Sequence, residues 1–134
     1  MEIIKSVTDT EAQDIRGRLY DYNKQFAGDD NHMPLKLAAK EDGRIIGGLL
    51  GGTYWNYLYI EILIVDDQYR GRGIGSKLLN EAESIARARG CRNACLDTHD
   101  FQGVDFYKRH GYGIVGELPD LPPGHKKLTL HKRL

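Results

Sequence analysis

The amino-acid sequence predicts a single domain of the mixed α+β class, layered α/β/α, with six to seven strands and three to four helices. Two patterns and the size of the chain support this prediction. Residues 57–65 alternate with the period of a strand, and apolar residues between 74 and 86 recur at steps of three and four, as in an amphipathic helix. The 134 residues, 40% hydrophobic and 28% charged, suffice for one core but not for two. We therefore expect one domain over residues 1–134.

The chain opens with signals for a strand followed by a helix. Residues 3–7 predict a short strand, and Thr8 and Glu11 have the spacing of a capping box, in which each side chain bonds the other residue's backbone. We expect a helix to begin there and to end near Gly28. Its apolar residues share one face: Ala12, Ile15, Leu19, Tyr22 and Phe26.

A hairpin of two strands is predicted next. A polar loop at 27–34 leads to a strand at about 35–40, and Glu41-Asp42-Gly43 is typical of a turn into a second strand at 45–53. That second strand is weakened by four glycines: Gly47, Gly48, Gly51 and Gly52. They predict either a bulge or the close approach of another backbone or a ligand.

The strongest strand signal lies at residues 57–65, after a turn at 54–56. Because successive side chains of a strand point to opposite faces, one face is predicted to be purely aliphatic. That face carries Leu58, Ile60, Ile62 and Ile64, and the other carries Tyr57, Tyr59, Glu61, Leu63 and Val65.

The second half of the chain alternates helices and strands. A helix that begins near Ile74 is predicted to stop at Gly90, which suits a left-handed terminating position. A strand at 91–98, a short helix at 101–110 closed by Gly111, and strands at 112–118 and 126–134 follow. The proline-rich stretch 118–124 is predicted to be a stiffened loop between the last two strands.

Composition excludes several classes of function. Nineteen basic and nineteen acidic residues give a formal net charge of zero, so no overall field attracts nucleic acid or a membrane. The longest strictly apolar run, residues 62–65, is far shorter than the roughly 18 residues of a membrane span, and the first residues lack a secretory pattern. We expect a cytoplasmic protein.

Cys91, Cys95 and His99 match no common zinc pattern, so reduced cysteines and no metal are expected.

A glycine-rich turn joins the strong strand to the following helix, and it reads Arg70-Gly71-Arg72-Gly73-Ile74-Gly75-Ser76. Unpaired backbone N–H groups at a helix N-terminus attract an anion such as a pyrophosphate, and glycine lets the anion come close. The spacing fits neither a Walker A loop nor a dinucleotide fingerprint. The alternative is a glycine turn with two solvated arginines.

Two motifs resemble those of the GNAT N-acetyltransferase superfamily. Residues 63–75 resemble its acetyl-coenzyme A motif, whose core positions are filled here by Arg70, Gly73 and Gly75. About thirty residues later, residues 106–112 resemble its second motif, in which a helix enters a strand through an aromatic-Tyr pair and a Gly-aromatic pair. The order of elements also fits this superfamily over nearly the whole chain.

The resemblance implies a strongly bent mixed sheet in which two neighbouring strands, here 57–65 and 91–98, splay apart to admit the pantetheine arm of acetyl-CoA. It implies that backbone groups of Leu63 and Val65 pair with pantetheine, and Ile64 between them is expected in the same cofactor site. It further implies that the turn holds the pyrophosphate: Arg70, Gly71, Arg72, Gly73, Ile74, Gly75 and Ser76. Asp100 and Gly103 depart from the second motif, where the superfamily has Asn and Ala.

Acetyl transfer from acetyl-CoA to a primary amine, by direct attack in a ternary complex, requires a base and an acid. Glu61 is the candidate base, acting through water, since it is the one ionisable side chain inside the strongest strand; the alternative is a solvated or ion-paired carboxylate. Asp97 is the second candidate, and its alternative is a strand end. Tyr107 matches the superfamily's general acid and contributes to the cofactor site; its alternative is an aromatic packed beside Phe106.

The acceptor is expected to be a small cationic amine. In this superfamily the acceptor pocket involves the first helix, its following loop and the loop between the last two strands, which carry Asp29, Asp30, Glu117 and Asp120 here, with Tyr20, Tyr22, Tyr54 and Trp55 nearby. Two other functions stay open: a non-catalytic acyl-CoA binding module, and a protein lysine or N-terminal acetyltransferase. A homodimer through an exposed sheet edge stays open as well.

Overall fold

The computed structural model describes residues 1–134 and divides them into two compact units, Met1–Asp30 and Asn31–Leu134. The first unit contains helix α1 (Asp9–Ala27), which begins with the predicted capping box: the Thr8 N–H donates to Glu11 Oε1 at 2.9 Å, and the Glu11 N–H donates to Thr8 Oγ1 at 3.1 Å. The predicted strand at 3–7 is wrong. A strand requires a partner for its backbone groups, and these exposed residues pair with none.

The second unit is built on one mixed sheet of six strands in the order β1-β2-β3-β4-β6-β5. Its elements in chain order are β1 (Met33–Glu41), β2 (Arg44–Tyr54), β3 (Tyr57–Val65), a 3₁₀ turn (Asp67–Tyr69), α2 (Ile74–Ala88), β4 (Asn93–His99), α3 (Val104–Arg109), β5 (Gly113–Pro119) and β6 (Lys126–Arg133). Strands β3 and β4 are parallel, and every other pair is antiparallel. The mixed fold class is confirmed, and no helix is both long and apolar enough to cross a bilayer.

The glycines of β2 are explained by neighbouring backbone. Strands β1 and β2 form the predicted hairpin, with positive φ at both Asp42 and Gly43 in the turn. A Cβ at Gly51 would overlap the carbonyl oxygen of Tyr59 on β3, and one at Gly47 would lie 2.9 Å from the carbonyl oxygen of Ile64. A Cβ at Gly48 or Gly52 would instead lie 3.1 or 3.2 Å from a carbonyl oxygen of β1, so the close approach predicted from the sequence is that of the two neighbouring strands.

A β-bulge in β3 reverses the predicted faces of that strand. Leu50 of β2 pairs with Ile62 and Gly51 pairs with Ile60, so Glu61 has no partner in the ladder. Before this extra residue, Leu58 and Ile60 are buried as expected. After it, Ile62 and Ile64 are 45% and 57% exposed, while Leu63 packs against the core. The prediction of one continuous aliphatic face is wrong because a single inserted residue inverts the alternation beyond it.

Strands β3 and β4 separate just after Ile60. Their parallel ladder pairs Tyr57 with Asn93 and ends with Ile60 opposite Leu96, although β3 continues to Val65 and β4 to His99. The separation expected from the resemblance is thus present, and it begins at the same place as the bulge.

The core lies between α2 and the sheet. One face of α2 is buried against β1, β2 and β3, and its core residues are Leu78, Leu79, Ala82 and Ala86. Each large apolar side chain removed from water contributes about 1.5–3 kcal/mol, so this face fixes the helix on the sheet. Arg89, just after α2, donates hydrogen bonds to the carbonyl oxygens of Met33 and Pro34 at 3.2 and 3.1 Å and so ties the C-terminus of α2 to the hairpin.

Candidate active site

A cleft of about 890 Å³ opens where β3 and β4 separate. Its walls are the second half of β3, the glycine-rich turn with the start of α2, the end of β4, and α3 with the residues before it. Of the candidate site residues predicted from the sequence, all but Arg72 line it. The lining includes Glu61, Leu63, Ile64, Val65, Arg70, Gly71, Gly73, Ile74, Gly75, Ser76, Asp97 and Tyr107.

The glycine-rich turn presents backbone donors to this cleft. Lys77 N–H donates to the carbonyl of Gly73 at 3.0 Å, so the N–H groups of the three preceding residues have no acceptor within α2, and no side chain caps the helix. Gly71 and Gly73 have φ of +77° and +78°, a conformation that disfavours other residues. Free donors and the positive end of the helix dipole make this turn suited to an anion.

The two arginines of the turn occupy different places. Arg70 lines the cleft, and its Nε donates to the carbonyl of Val65 at 3.1 Å while its Nη1 lies 3.0 Å from a carboxylate oxygen of Asp67. Arg72 does not line the cleft: its guanidinium lies 5.1 Å from the ring centre of Tyr69. The structure therefore brings Arg70, but not Arg72, to the predicted anion site.

Helix α3 packs directly against the start of α2. The ring of Phe106 would lie 3.4 Å from a Cβ at Gly75, the distance of an ordinary van der Waals contact, so the ring lies close over the first turn of α2. Ser76 Oγ lies 2.9 Å from His110 Nε2, within hydrogen-bond distance. These contacts hold the glycine-rich turn and the helix of Tyr107 together as two walls of the same cleft.

The two candidate bases differ in their partners. Asp97 accepts a hydrogen bond from Thr129 Oγ1 at 2.7 Å and lies 3.8 Å from Lys127 Nζ. Glu61, the bulge residue, is exposed in the cleft and makes no hydrogen bond or ion pair with another residue. Asp97 also acts on the neighbouring Tyr59: burial is the largest cause that raises the pKa of Tyr59, and the negative charge of Asp97 is the second. Of the two carboxylates, Glu61 is therefore the one without a competing partner.

Tyr107 is 8% exposed and lines the cleft from α3. Its ring packs edge-on against Phe106 and Tyr112, with ring centres 5.2 and 5.7 Å away. Burial raises the pKa of Tyr107 above the usual phenol value of about 10, so the hydroxyl stays protonated throughout the neutral range. A protonated phenol in a cleft can serve as a proton donor.

Comparison with known proteins decides the family. The model of the acetyltransferase (GNAT) family matches residues 3–112. The chain belongs to the GNAT acetyltransferase family. Blasticidin-S acetyltransferase of Streptomyces morookaense is 42% identical over 98 residues, which cover 72% of each chain. A crystal structure of an acetyltransferase from Bacillus cereus superposes with a TM-score of 0.93 at 38% identity, covering 100% of this chain and 99% of that one.

This GNAT enzyme is an acetyl-CoA-dependent N-acetyltransferase. A streptothricin acetyltransferase from Bacillus anthracis, described as putative and solved in complex with acetyl-CoA, is 26% identical with a TM-score of 0.65 over 72% of this chain and 60% of that chain. In the present GNAT chain, the anion-attracting glycine-rich turn and the separated strands suit the pyrophosphate and the extended arm of this co-substrate. The donor chemistry of the cleft therefore fits acetyl-CoA.

Several residues that line the cleft were not predicted from the sequence to belong to the site. Phe101, Gln102, Phe106 and Arg109 line it, and Gln102 Oε1 accepts hydrogen bonds from the His99 N–H at 2.8 Å and from the Thr98 hydroxyl. Phe106 and Arg109 lie within the second motif and Phe101 and Gln102 lie between β4 and that motif, and this position is the signal that could have indicated them. Asp100, where the chain departs from that motif, does not line the cleft and instead bonds His125 Nδ1 at 2.9 Å.

Proposed function

We propose that this enzyme transfers the acetyl group of acetyl-CoA directly to a primary amine of a small cationic molecule, with Glu61 as base through water and Tyr107 as general acid. The observation that carries this proposal is that Glu61 and Tyr107 line the same cleft, one as a carboxylate without a partner and the other as a protonated phenol.

The co-substrate supplies the acetyl group as an activated thioester. The backbone N–H groups of Ile74, Gly75 and Ser76 would hold its pyrophosphate, supported by the charge of Arg70. The edge of β3 beyond Ile60, where the ladder with β4 has ended, would offer the backbone groups of Leu63 and Val65 to the pantetheine amides, since those of Ile64 face β2. The carbonyl of Val65 already accepts a hydrogen bond from Arg70, so Arg70 couples the two parts of this binding surface.

A base is required because an alkyl ammonium with a pKa near 10.4 must lose a proton, which costs about 4.6 kcal/mol at pH 7. Glu61 lies at the bulge where the strands part and can receive that proton through an ordered water. Asp97 is less suited to this role, since Thr129 and Lys127 already bind its oxygens. Asp97 stays the second candidate for the base.

Tyr107 would return a proton to the departing thiolate. Its hydroxyl donates to no other residue, so the proton is available in the cleft. The residue contributes to binding through its ring and to turnover through its hydroxyl. These two contributions are separable by removing the oxygen alone.

A small cationic acceptor is supported by two observations. The two carboxylates at the cleft, Glu61 and Asp97, attract an ammonium group. The similar proteins named above are described as acetyltransferases of blasticidin-S and of streptothricin, both small molecules. Glu117, one of the acidic loop residues predicted for the acceptor, does not line the cleft and pairs with Lys126 at 3.5 Å. Asp29, another of them, pairs with Lys24 at 3.9 Å.

The test is a thiol-release assay with acetyl-CoA against polyamines, aminoglycosides, blasticidin-type and streptothricin-type antibiotics, amino acids and lysine peptides. We expect turnover with one class of small cationic amine. Tyr107→Phe and Glu61→Gln should each lower kcat by about 100-fold, and Tyr107→Phe should leave the KM for acetyl-CoA unchanged. Tyr57→Phe and Glu81→Gln, both outside the cleft, serve as controls. Preferred acetylation of peptides would refute the small acceptor, and full activity of either cleft variant would refute its role.

A further inference from the structure

A buried polar network lies behind the wall of the cleft that carries Tyr107. Glu83, in the core-facing row of α2, is only 2% exposed. Its carboxylate accepts a hydrogen bond from the Tyr112 hydroxyl at 2.8 Å and another from Lys132 Nζ on β6 at 2.7 Å, and Arg87 lies 3.7 Å away. None of these residues lines the cleft.

The network is joined to Tyr107 through Tyr112. The Tyr112 N–H donates to the carbonyl oxygen of Tyr107 at 3.0 Å, and the two rings pack edge-on with centres 5.7 Å apart. Lys132 Nζ lies 5.5 Å from the ring centre of Tyr112, and the Lys132 stem covers Gly111, the residue between α3 and Tyr112. Tyr112 is therefore held at its backbone, its ring and its hydroxyl.

Stability alone is a weak reason for this arrangement. Removing a carboxylate and an ammonium from water costs several kcal/mol per ion, and an apolar replacement of such a buried pair is often as stable or more stable. A hydrogen-bonded network, in contrast to apolar packing, fixes one orientation of the groups that it joins. Burial, and then the hydrogen bond to Glu83, raise the pKa of Tyr112, so its hydroxyl donates to Glu83 over the whole neutral range.

We propose that Glu83 is a positioning residue for acetyl transfer: by holding the hydroxyl of Tyr112, it fixes the ring that packs against Tyr107 and thereby places the Tyr107 hydroxyl in the cleft. This inference rests on the proposed role of Tyr107 as the acid. Displacement of a reacting group by about 1 Å can cost as much as 100-fold in rate, so loss of one hydrogen bond behind Tyr107 is enough to be measurable.

The test removes the Tyr112 oxygen and the Glu83 charge separately. Tyr112→Phe and Glu83→Gln are compared with Tyr57→Phe and with Glu81→Gln, which changes an exposed carboxylate on the same helix. We expect Tyr112→Phe to lower kcat about tenfold with the KM for acetyl-CoA within about twofold, and both controls to keep wild-type kinetics. Glu83→Gln retains an acceptor for the Tyr112 hydroxyl, so its kcat should lie between that of the wild type and that of Tyr112→Phe.

A double substitution separates positioning from a general structural effect. In a Tyr107→Phe background, Tyr112→Phe should lower kcat no further, because there is no hydroxyl left to misplace. The inference would be overturned if Tyr112→Phe lowered kcat equally in both backgrounds. It would also be overturned if Tyr112→Phe kept the wild-type kcat or changed only the KM for acetyl-CoA.

The position of Tyr107 can also be followed without turnover. With tyrosines labelled at the phenolic carbon, the NMR resonance missing in Tyr107→Phe identifies Tyr107, and we expect it to shift or broaden in Tyr112→Phe. An unchanged resonance would overturn the positioning role. If the resonance shifts in Tyr112→Phe while Tyr107→Phe keeps full activity, the positioning of the Tyr107 ring by Glu83 is supported. The role of Tyr107 as the acid is then refuted.

Discussion

Alanine in place of Gly73 would test whether the glycine-rich turn binds acetyl-CoA. Gly73 has a φ of +78°, and a Cβ there would meet no atom within 4 Å, so the cost of the change comes from the backbone alone. A left-handed conformation costs an L-residue about 1–2 kcal/mol. For a domain of 134 residues this corresponds to a decrease in Tm of about 4–7 °C.

Gly90→Ala is the matched control for this change. Gly90 lies just beyond the other end of α2 with a φ of +89°, has no atom within 4 Å of a Cβ, and does not line the cleft. Both variants should lose similar stability in thermal unfolding. Only Gly73→Ala should raise the Kd for acetyl-CoA in calorimetry, by about tenfold or more, since one hydrogen bond to a charged group contributes roughly 1.5–3 kcal/mol. Equal Kd values for the two variants would refute the assignment of the turn to the pyrophosphate.

Three other substitutions test the fold around the cleft. Gly51→Ala places a Cβ on the carbonyl of Tyr59 and should cost roughly 2–4 kcal/mol in urea unfolding, more than Gly73→Ala. Leu79→Ala, at a fully buried site in α2, should cost about 2–5 kcal/mol in the same assay. The third substitution concerns the carboxylate of Asp100: desolvation raises its pKa, but the hydrogen bond from His125 outweighs this effect and lowers the pKa below its usual value near 4. The ionised carboxylate therefore stabilises the fold above about pH 4, and this contribution is lost as the pH falls further. The Tm difference between wild type and Asp100→Asn should accordingly shrink below about pH 4, and a constant difference would contradict this reasoning.

Local patterns in the sequence were sufficient for most elements. The capping box at Thr8 starts α1, Gly90 follows α2 with a positive φ, and the strand at residues 57–65 has the bounds of β3. Each of these depends on interactions within a few residues along the chain, which is why spacing alone predicts them. The motif around Arg70 and Gly73 was equally informative, because it is also contiguous.

Features that depend on a partner strand were not predictable in this way. The bulge at Glu61 is set by the register against Leu50 and Gly51, and nothing within residues 57–65 breaks the alternation. The strand predicted at 3–7 has suitable residues but no partner. The position of Arg72 over Tyr69, outside the cleft, likewise depends on how the turn folds back.

The parallel pairing of β3 with β4 has a consequence for how this enzyme can diversify. A crossover helix between parallel strands must begin at the edge where the first strand ends, so the start of α2 and the opening between the strands share one edge by topology. The segment from Tyr57 to His99 thus carries both the glycine-rich turn and the opening of the cleft. The hairpin β1–β2 and the pair β5–β6 flank this segment on either side. Their loops lie outside that segment, so under the proposed function acceptor preference can change there while the glycine-rich turn stays in place.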